Sequence, residues 1–492
     1  MNLVSVTSPT TGRELGRITE HDAAHAAQAF DRARQAQRLW ARTPAAHRRA
    51  IMLRYHNLVL DRQDELLNLI QDESGKNRLS AFDEIMDVAV TARHYAYAAE
   101  QLLRTRRAKG ALPVLTVTHV QRDPKGVVGI ISPWNYPLTL AVSDAIPALL
   151  AGNSVVLKPD SHTPLTALRA VELLVEAGLP QDVFQVVTGA GSVVGQQIVS
   201  HCDFLMFTGS TPTGRSLAAQ AGERLIGFSA ELGGKNPMIV AHDADPQYAA
   251  RSVQTGCFAN AGQLCISLER IYVHRAVAEE FITSVVAAVQ AMRVGGGYDW
   301  NIDMGSLISA DHVENVAKMV DRAVAQGARV LAGGHRLPQL GPTFYAPTVL
   351  TDVPSSAQLY AQETFGPVIA IQVVDSEAEA ISCANDSEFG LNASVFASPA
   401  TGRRIAAQLQ VGTVNINEGF AAAWGSVDAP MGGWKASGTG RRHGDAGLTK
   451  YTEERTVALQ RLVPISGPPA LRGDRWARVL STALKAGKRL LR

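Results

Sequence analysis

Short apolar runs alternate with amphipathic stretches along most of this chain, and the period of each run decides its element. From about residue 21 to 105 apolar positions recur at helical spacing, at Ile51, Leu53, Leu58, Leu66, Leu67 and Ile70, in an Ala-rich, charged background. Residues 114–120 alternate with period two and lead into Asp123-Pro124, which predicts a strand entering a turn. Strands over 126–131, 154–157, 184–187 and 204–207 then alternate with helices over 138–150, 163–177 and 192–200. The alternation restarts with a strand over 237–240, a helix over 246–260, a strand over 270–273 and a helix over 276–292. Strands over 328–331 and 368–371 and helices near 376–385 and 400–409 complete it. Near-continuous apolar strands separated by amphipathic helices predict parallel sheets covered on both faces.

Size and charge narrow the class. A chain of 492 residues exceeds what one core supports, so two or three domains are expected. Forty-seven basic residues balance 45 acidic ones, which gives no reason to expect a nucleic acid as partner. No basic-then-apolar leader opens the chain and no apolar run reaches a membrane span, so the cytoplasm is the default location. Cys202, Cys257, Cys265 and Cys383 are scattered without CxxC spacing, and no metal site is expected from them. Past the Pro-rich link at 464–469, residues 471–492 carry Arg472, Arg475, Arg478, Lys485, Lys488, Arg489 and Arg492. Trp476, Val479, Leu480 and Leu484 recur among them at helical spacing. A basic amphipathic helix can lie on an anionic membrane, but a helix packed on its own protein or left solvated is favoured over membrane contact.

Two runs 34 residues apart carry the chemistry: Glu231-Leu-Gly-Gly-Lys235, and Phe258-Ala-Asn-Ala-Gly-Gln-Leu-Cys265. A thiol that attacks carbon and a carboxylate that activates water are the minimum kit for making and hydrolysing a thioester. Pro133-Trp-Asn-Tyr-Pro137 holds an amide between aromatics just after a strand, where Asn135 can donate to an oxyanion or serve as a rigid structural turn. Lys158 ends a strand, and strand carboxyl ends are where open parallel sheets bind ligands. Gly209 to Gly214 follows a strand and opens a helix, which suits a phosphate. Gly189 to Gly195 has the wrong spacing for a dinucleotide fingerprint and reads as a tight turn.

In order along the chain stand Pro133–Pro137, Lys158-Pro159, Phe207-Thr-Gly-Ser210, Glu231–Lys235, the Cys265 run and Glu363-Thr-Phe-Gly-Pro-Val368. Gly412-Thr-Val-Asn-Ile-Asn417 and Pro430-Met-Gly-Gly-Trp-Lys-Ala-Ser-Gly438 follow. With these motifs the chain resembles the aldehyde dehydrogenase superfamily over nearly its whole length, and most nearly its NADP-dependent succinate-semialdehyde dehydrogenase branch. The resemblance implies an α/β aldehyde dehydrogenase-like fold: two Rossmann-type parallel-sheet domains plus a β-ribbon oligomerisation arm. Residues 1–105 and 125–233 would bind the dinucleotide, 234–433 would form the catalytic domain, and 106–124 with 448–462 the arm, leaving 464–492 as a basic C-terminal tail. A homodimer or homotetramer would follow.

By the same resemblance Cys265 is the nucleophile, Glu231 the base that activates water, and Asn135 with the Cys265 N–H the oxyanion hole; Lys158 completes the catalytic set. Retention of Glu231 favours release of a free acid over transfer to coenzyme A. The cofactor would contact Trp134, Lys158, Ser161, Gly209, Ser210, Glu231, Leu232, Gly233, Glu363 and Phe365. NAD-preferring relatives commonly carry a glutamate where this chain has Ser161, so NADP is expected and NAD remains possible; Asp160 turned inward would oppose that. The branch's two carboxylate-binding arginines correspond here to Ser143 and Ala259, neither of which neutralises a carboxylate. The remaining pocket candidates, Tyr136, Thr139, Leu264, Ile266, Phe420 and Trp424, predict an apolar, aromatic tunnel. The branch points to succinic semialdehyde and the tunnel equally to a medium-chain or aromatic aldehyde. A non-catalytic relic acting as a binding protein is the reading from another class, and a cofactor-free thiol esterase a further one; both are opposed by the retained Cys265, Glu231 and Glu363-Thr-Phe365.

Overall fold

The computed structural model describes residues 2–112, 115–471 and 473–488. Val114, at the start of the strand expected over 114–120, and Arg472, Arg489 and Arg492 of the basic tail lie outside the described residues.

The first sheet has six strands in the order Gly438–Thr439, Gly227–Glu231, Phe204–Thr208, Val127–Ile131, Ser154–Lys158, Phe184–Val186. All neighbours are parallel except the short Gly438–Thr439, which runs antiparallel to Gly227–Glu231. The order reverses between Val127–Ile131 and Phe204–Thr208, the first and fourth parallel strands in the chain. A crevice opens beyond the strand ends at such a switch point. Helices cover both faces, so these strands carry continuous apolar runs rather than an alternating pattern.

The second sheet has seven strands: Arg329–Ala332, Thr348–Thr351, Val368–Val374, Leu268–His274, Asn236–Val240, Asn392–Phe396 and Thr413–Ile416. Only the first pair is antiparallel. Glu231 closes a strand of the first sheet and Asn236 opens one of the second, so carboxyl ends of one meet amino ends of the other. A three-stranded ribbon, Arg106–Ala108, Thr116–Pro124 and Thr452–Gln460, stands apart from both.

Several expectations change in detail. The apolar stretch 21–105 is four helices, Ala23–Trp40, Ala45–Asp61, Gln63–Ser74 and Arg78–Leu103. The single helix expected over 138–150 is two, Pro137–Val142 and Ala145–Leu150. Pro147 has no N–H to give the carbonyl of Ser143, and the helix breaks there. The hairpin Asn2–Thr7 with Glu14–Glu20, the helix Ala310–Ala325 and the strands Thr348–Thr351, Asn392–Phe396 and Thr413–Ile416 were not foreseen. Exposed hairpin strands and short core strands lack the long periodic signal that identifies an element. Among the described residues no helix is long and apolar enough to cross a membrane.

Candidate active site

A cavity of about 300 Å³ opens at the switch point of the first sheet, lined by Pro133, Trp134, Asn135, Thr208, Gly209, Ser210, Glu231, Leu232, Gly233, Cys265, Glu363 and Phe365. A second, narrower cavity is lined by Asp83, Asn135, Tyr136, Thr139, Leu140, Leu264, Cys265, Ile266, Phe420, Trp424, Met431 and Arg442. The two linings share Asn135 and Cys265. The thiol and the carboxamide stand where a wide cleft meets a narrow tunnel.

The loop carrying Cys265 is shaped by three successive residues with positive φ: Asn260 (49°), Ala261 (54°) and Gly262 (71°). A Cβ at Gly262 would lie 2.1 Å from the Gly366 carbonyl oxygen, so glycine is required there. Asn260 Nδ2 donates to the carbonyls of Asn135 (2.9 Å) and Gln263 (3.1 Å). Asn135 Nδ2 donates one hydrogen to the Gln263 carbonyl at 3.0 Å. An amide has two such hydrogens, and the second has no acceptor among the described residues.

Two buried ion pairs clamp the walls. Lys76 Nζ lies 2.6 Å from Glu84 Oε1, with both side chains wholly inaccessible, and donates to the Asn135 carbonyl at 2.6 Å. The same ammonium sits 3.9 Å from the centre of the Tyr136 ring. Glu84 Oε2 accepts from the N–H groups of Leu138 (2.8 Å) and Thr139 (3.1 Å), at the start of the helix Pro137–Val142. Lys235 pairs with Glu269. Glu269 accepts from Thr364 N at 3.0 Å and Phe365 N at 3.1 Å, fixing the turn that presents Glu363 and Phe365. Phe365 is held at φ 51° with its ring edge-on to Trp134 at 5.6 Å.

The Gly233-Gly234 step exists for close approach. A Cβ at Gly233 would lie 2.7 Å from Glu363 Oε2, and one at Gly234 2.5 Å from the Cys265 carbonyl. Glu363 Oε1 accepts from Gly234 N at 2.9 Å. Burial and the neighbouring Glu269 push the Glu363 carboxyl up to about 8.

Glu231 is buried, and its Oε1 has no hydrogen-bond partner among the described residues. Burial raises its pKa to about 7, against the opposing pull of Arg442 and Lys450. Burial, then Glu363 and Glu231, push the Cys265 thiol up to about 12. A thiol held that high needs a base to become nucleophilic. Arg442 is itself buried and pairs with Asp144, while Lys450 Nζ lies 3.4 Å from Asp144 Oδ1. Burial opposes the Arg442 charge, but Asp144 and Glu231 outweigh it.

The cleft fits a nicotinamide dinucleotide. Ser210 caps the helix Thr211–Glu223 without a side-chain bond to its backbone, leaving first-turn N–H groups for a pyrophosphate. Glu363, buried with a backbone donor on one oxygen, suits a ribose diol. Lys158 and Ser161 do not line this cavity; Lys158 ends the neighbouring strand, its carbonyl accepting from Ser132 N at 3.1 Å. Asp160 is turned onto His162, accepting from its N–H at 3.0 Å and standing 2.7 Å from its Nδ1.

Of the pocket candidates, Tyr136, Thr139, Leu264, Ile266, Phe420 and Trp424 line the tunnel. Ser143 does not: its hydroxyl donates to Asp87 Oδ2 at 2.5 Å, away from the lumen. The tunnel is also less apolar than expected, because Asp83 and Arg442 reach it. Burial raises Asp83 to about 7. Neither residue belongs to a motif, and only the packing of the helix Arg78–Leu103 and of the segment after Gly438 brings them there. Met431 stands inside a quoted motif and was within reach of the sequence.

The residues gathered at the two cavities define a class. The aldehyde dehydrogenase family model matches residues 2–457, and the chain belongs to that family of oxidoreductases. A Mycolicibacterium smegmatis protein provisionally named a succinate-semialdehyde dehydrogenase (NADP+) is 55% identical over 98% of this chain and 93% of its own length. A Mycobacterium tuberculosis protein with the same provisional designation, numbered 2, is 52% identical over 96% of this chain and 91% of its own. The crystal structure of an Escherichia coli NADP-dependent enzyme superposes with a TM-score of 0.89 at 35% identity, covering 93% of this chain and 95% of that one.

Proposed function

We propose that this enzyme oxidises an aldehyde to the carboxylic acid with NADP, through a thioester on Cys265. The observation that carries the reading is the junction of cleft and tunnel at Cys265 and Asn135. Glu231 takes the thiol proton, and the thiolate sulfur bonds to the aldehyde carbon. The oxyanion accepts from the free Asn135 Nδ2 hydrogen and the Cys265 N–H; each such donor is worth about 3 kcal/mol. The nicotinamide supplies one thing when bound, an acceptor for the hydride. Glu231 passes the thiol proton to solvent and, again a carboxylate, takes a proton from water, whose oxygen attacks the thioester; the C–S bond breaks, the acid leaves, and the second proton returns to the sulfur as the thiol. Trp134, Gly209, Ser210, Leu232, Gly233, Glu363 and Phe365 would hold the cofactor in the cleft, with Lys158 reaching the adenosine end.

Asp160, engaged by His162, does not project its charge freely toward a 2′-phosphate, and Ser161 adds no repulsion; both features support NADP. For substrate we favour succinic semialdehyde, in line with the names of relatives at 52–55% identity. Arg442 is the cation of the tunnel lining that could face a distal carboxylate. An uncharged medium-chain or aromatic aldehyde is the second reading, favoured by the apolar cluster of Tyr136, Leu140, Leu264, Ile266 and Phe420.

An aldehyde panel read at the NADPH absorbance decides between them. Saturation by succinic semialdehyde far below hexanal or benzaldehyde supports the first reading, and the reverse order the second. No turnover of any aldehyde by a folded protein that binds NADP would overturn both. We further propose that 1–105 with 125–233 act as the dinucleotide unit, 234–433 as the catalytic unit, and 106–124 with 448–462 as an arm that joins subunits into a homo-oligomer in the cytoplasm. The Thr452–Gln460 strand supports the arm, since among the described residues it has an unpaired edge and exposes Val457 and Leu459.

A further inference from the structure

The helix Asp474–Gly487 follows the ribbon through a Pro-rich link and lies beyond the last residue matched by the family model, 457. It has no buried residue, with Val479 46% and Leu484 67% exposed. Its indole folds back onto its own Pro-rich link. Trp476 Nε1 donates to the Ile465 carbonyl at 2.7 Å, and the indole covers Gly467, where a Cβ would lie 2.7 Å from the ring. At about 100° per residue, Trp476, Val479, Leu480, Ala483, Leu484 and Gly487 share one arc that runs the length of the helix. Arg478 and Lys485 occupy the opposite arc, and Arg475 and Lys488 stand at its two borders. Asp474, the acid of this segment, is paired with Arg478 at 3.2 Å.

We propose that this helix docks the enzyme on an anionic phospholipid surface. The apolar arc would enter the boundary between headgroups and acyl chains. Arg475 and Lys488 would reach phosphates from its two edges while Arg478 and Lys485 face the diffuse layer. Charge favours a lipid plane over a second copy of the chain, because two such helices face to face would oppose net positive charge with net positive charge. One short helix gives reversible binding, so the enzyme would partition between surface and solution.

The test is flotation of the full-length protein with phosphatidylglycerol-containing vesicles and with pure phosphatidylcholine vesicles, at low and high salt. Binding is expected only to the anionic vesicles and only at low salt. Reversing Arg475, Arg478, Lys485 and Lys488 to Glu should weaken it on the order of 10²-fold or more. Val479→Ser with Leu484→Ser should weaken it at unchanged charge, and aldehyde oxidation should persist in both variants. Absence of binding to anionic vesicles at low salt overturns the proposal, and so does equal binding by wild type and charge-reversed protein. A drop in oligomeric mass in the serine variant, with no vesicle binding by wild type, would assign the face to a second copy instead.

Discussion

Lys76→Met separates the scaffold of the oxyanion hole from the stability of the fold. In the native chain Lys76 Nζ bridges Glu84 and the Asn135 carbonyl at 2.6 Å each, inside a wholly buried pair. Removing the ammonium leaves Glu84 buried without its counter-charge, and breaking such a pair by one partner costs about 3–5 kcal/mol. Part of that returns if Glu84 takes up a proton, since burial already raises its pKa. Adding Glu84→Gln removes the orphan charge while retaining an acceptor for the N–H groups of Leu138 and Thr139. The double variant should therefore unfold at higher temperature than the single one.

Catalysis should not follow. Loss of one oxyanion donor costs about 10²–10³ in kcat, and Asn260 still holds the Asn135 carbonyl at 2.9 Å. Both variants should thus fall about 10- to 100-fold in kcat, with KM changing little. Thermal unfolding and steady-state kinetics on wild type and the two variants provide the check. If kcat recovers together with stability in the double variant, Lys76 acts only by holding the core, and its assignment as a positioning residue for Asn135 is wrong.

Other outcomes follow from the same geometry. Cys265→Ala should abolish turnover and leave NADP binding intact, measured by calorimetry. As the proposed base Glu231 works as the carboxylate, so with a pKa of about 7 the rate should climb about tenfold per pH unit below that value and flatten above it. Glu231→Gln should lose this limb. The raised value favours the protonated form in the folded chain, so Glu231 costs stability progressively as pH rises from its ordinary 4.5 to about 7. Ser161→Glu should shift the kcat/KM ratio toward NAD by about tenfold or more, a change of roughly 1.4 kcal/mol, and weaken binding of 2′,5′-ADP in calorimetry. Gly234→Ala drives a Cβ to 2.5 Å from the Cys265 carbonyl and should cut kcat strongly in a protein that still folds.

The chemistry was legible in the residues because each reactive group lies in a short local run. Cys265, Glu231 and Asn135 announce themselves by neighbours a few positions away, and the continuous apolar strands announce parallel sheets. What supports those groups was not legible. Lys76 reaches Asn135 across 59 residues and Lys235 reaches Glu269 across 34, through pairings with no local signature. Ser143 looked like tunnel wall but is turned to Asp87, whereas Asp83 and Arg442, belonging to no motif, line the tunnel. The sequence alone determined which residues are candidates to react, since reactivity follows from residue type. Only the tertiary structure decided their pKa values, the strand order that opens the cleft and the charge of the tunnel. Those depend on burial and on contacts between segments far apart in the chain.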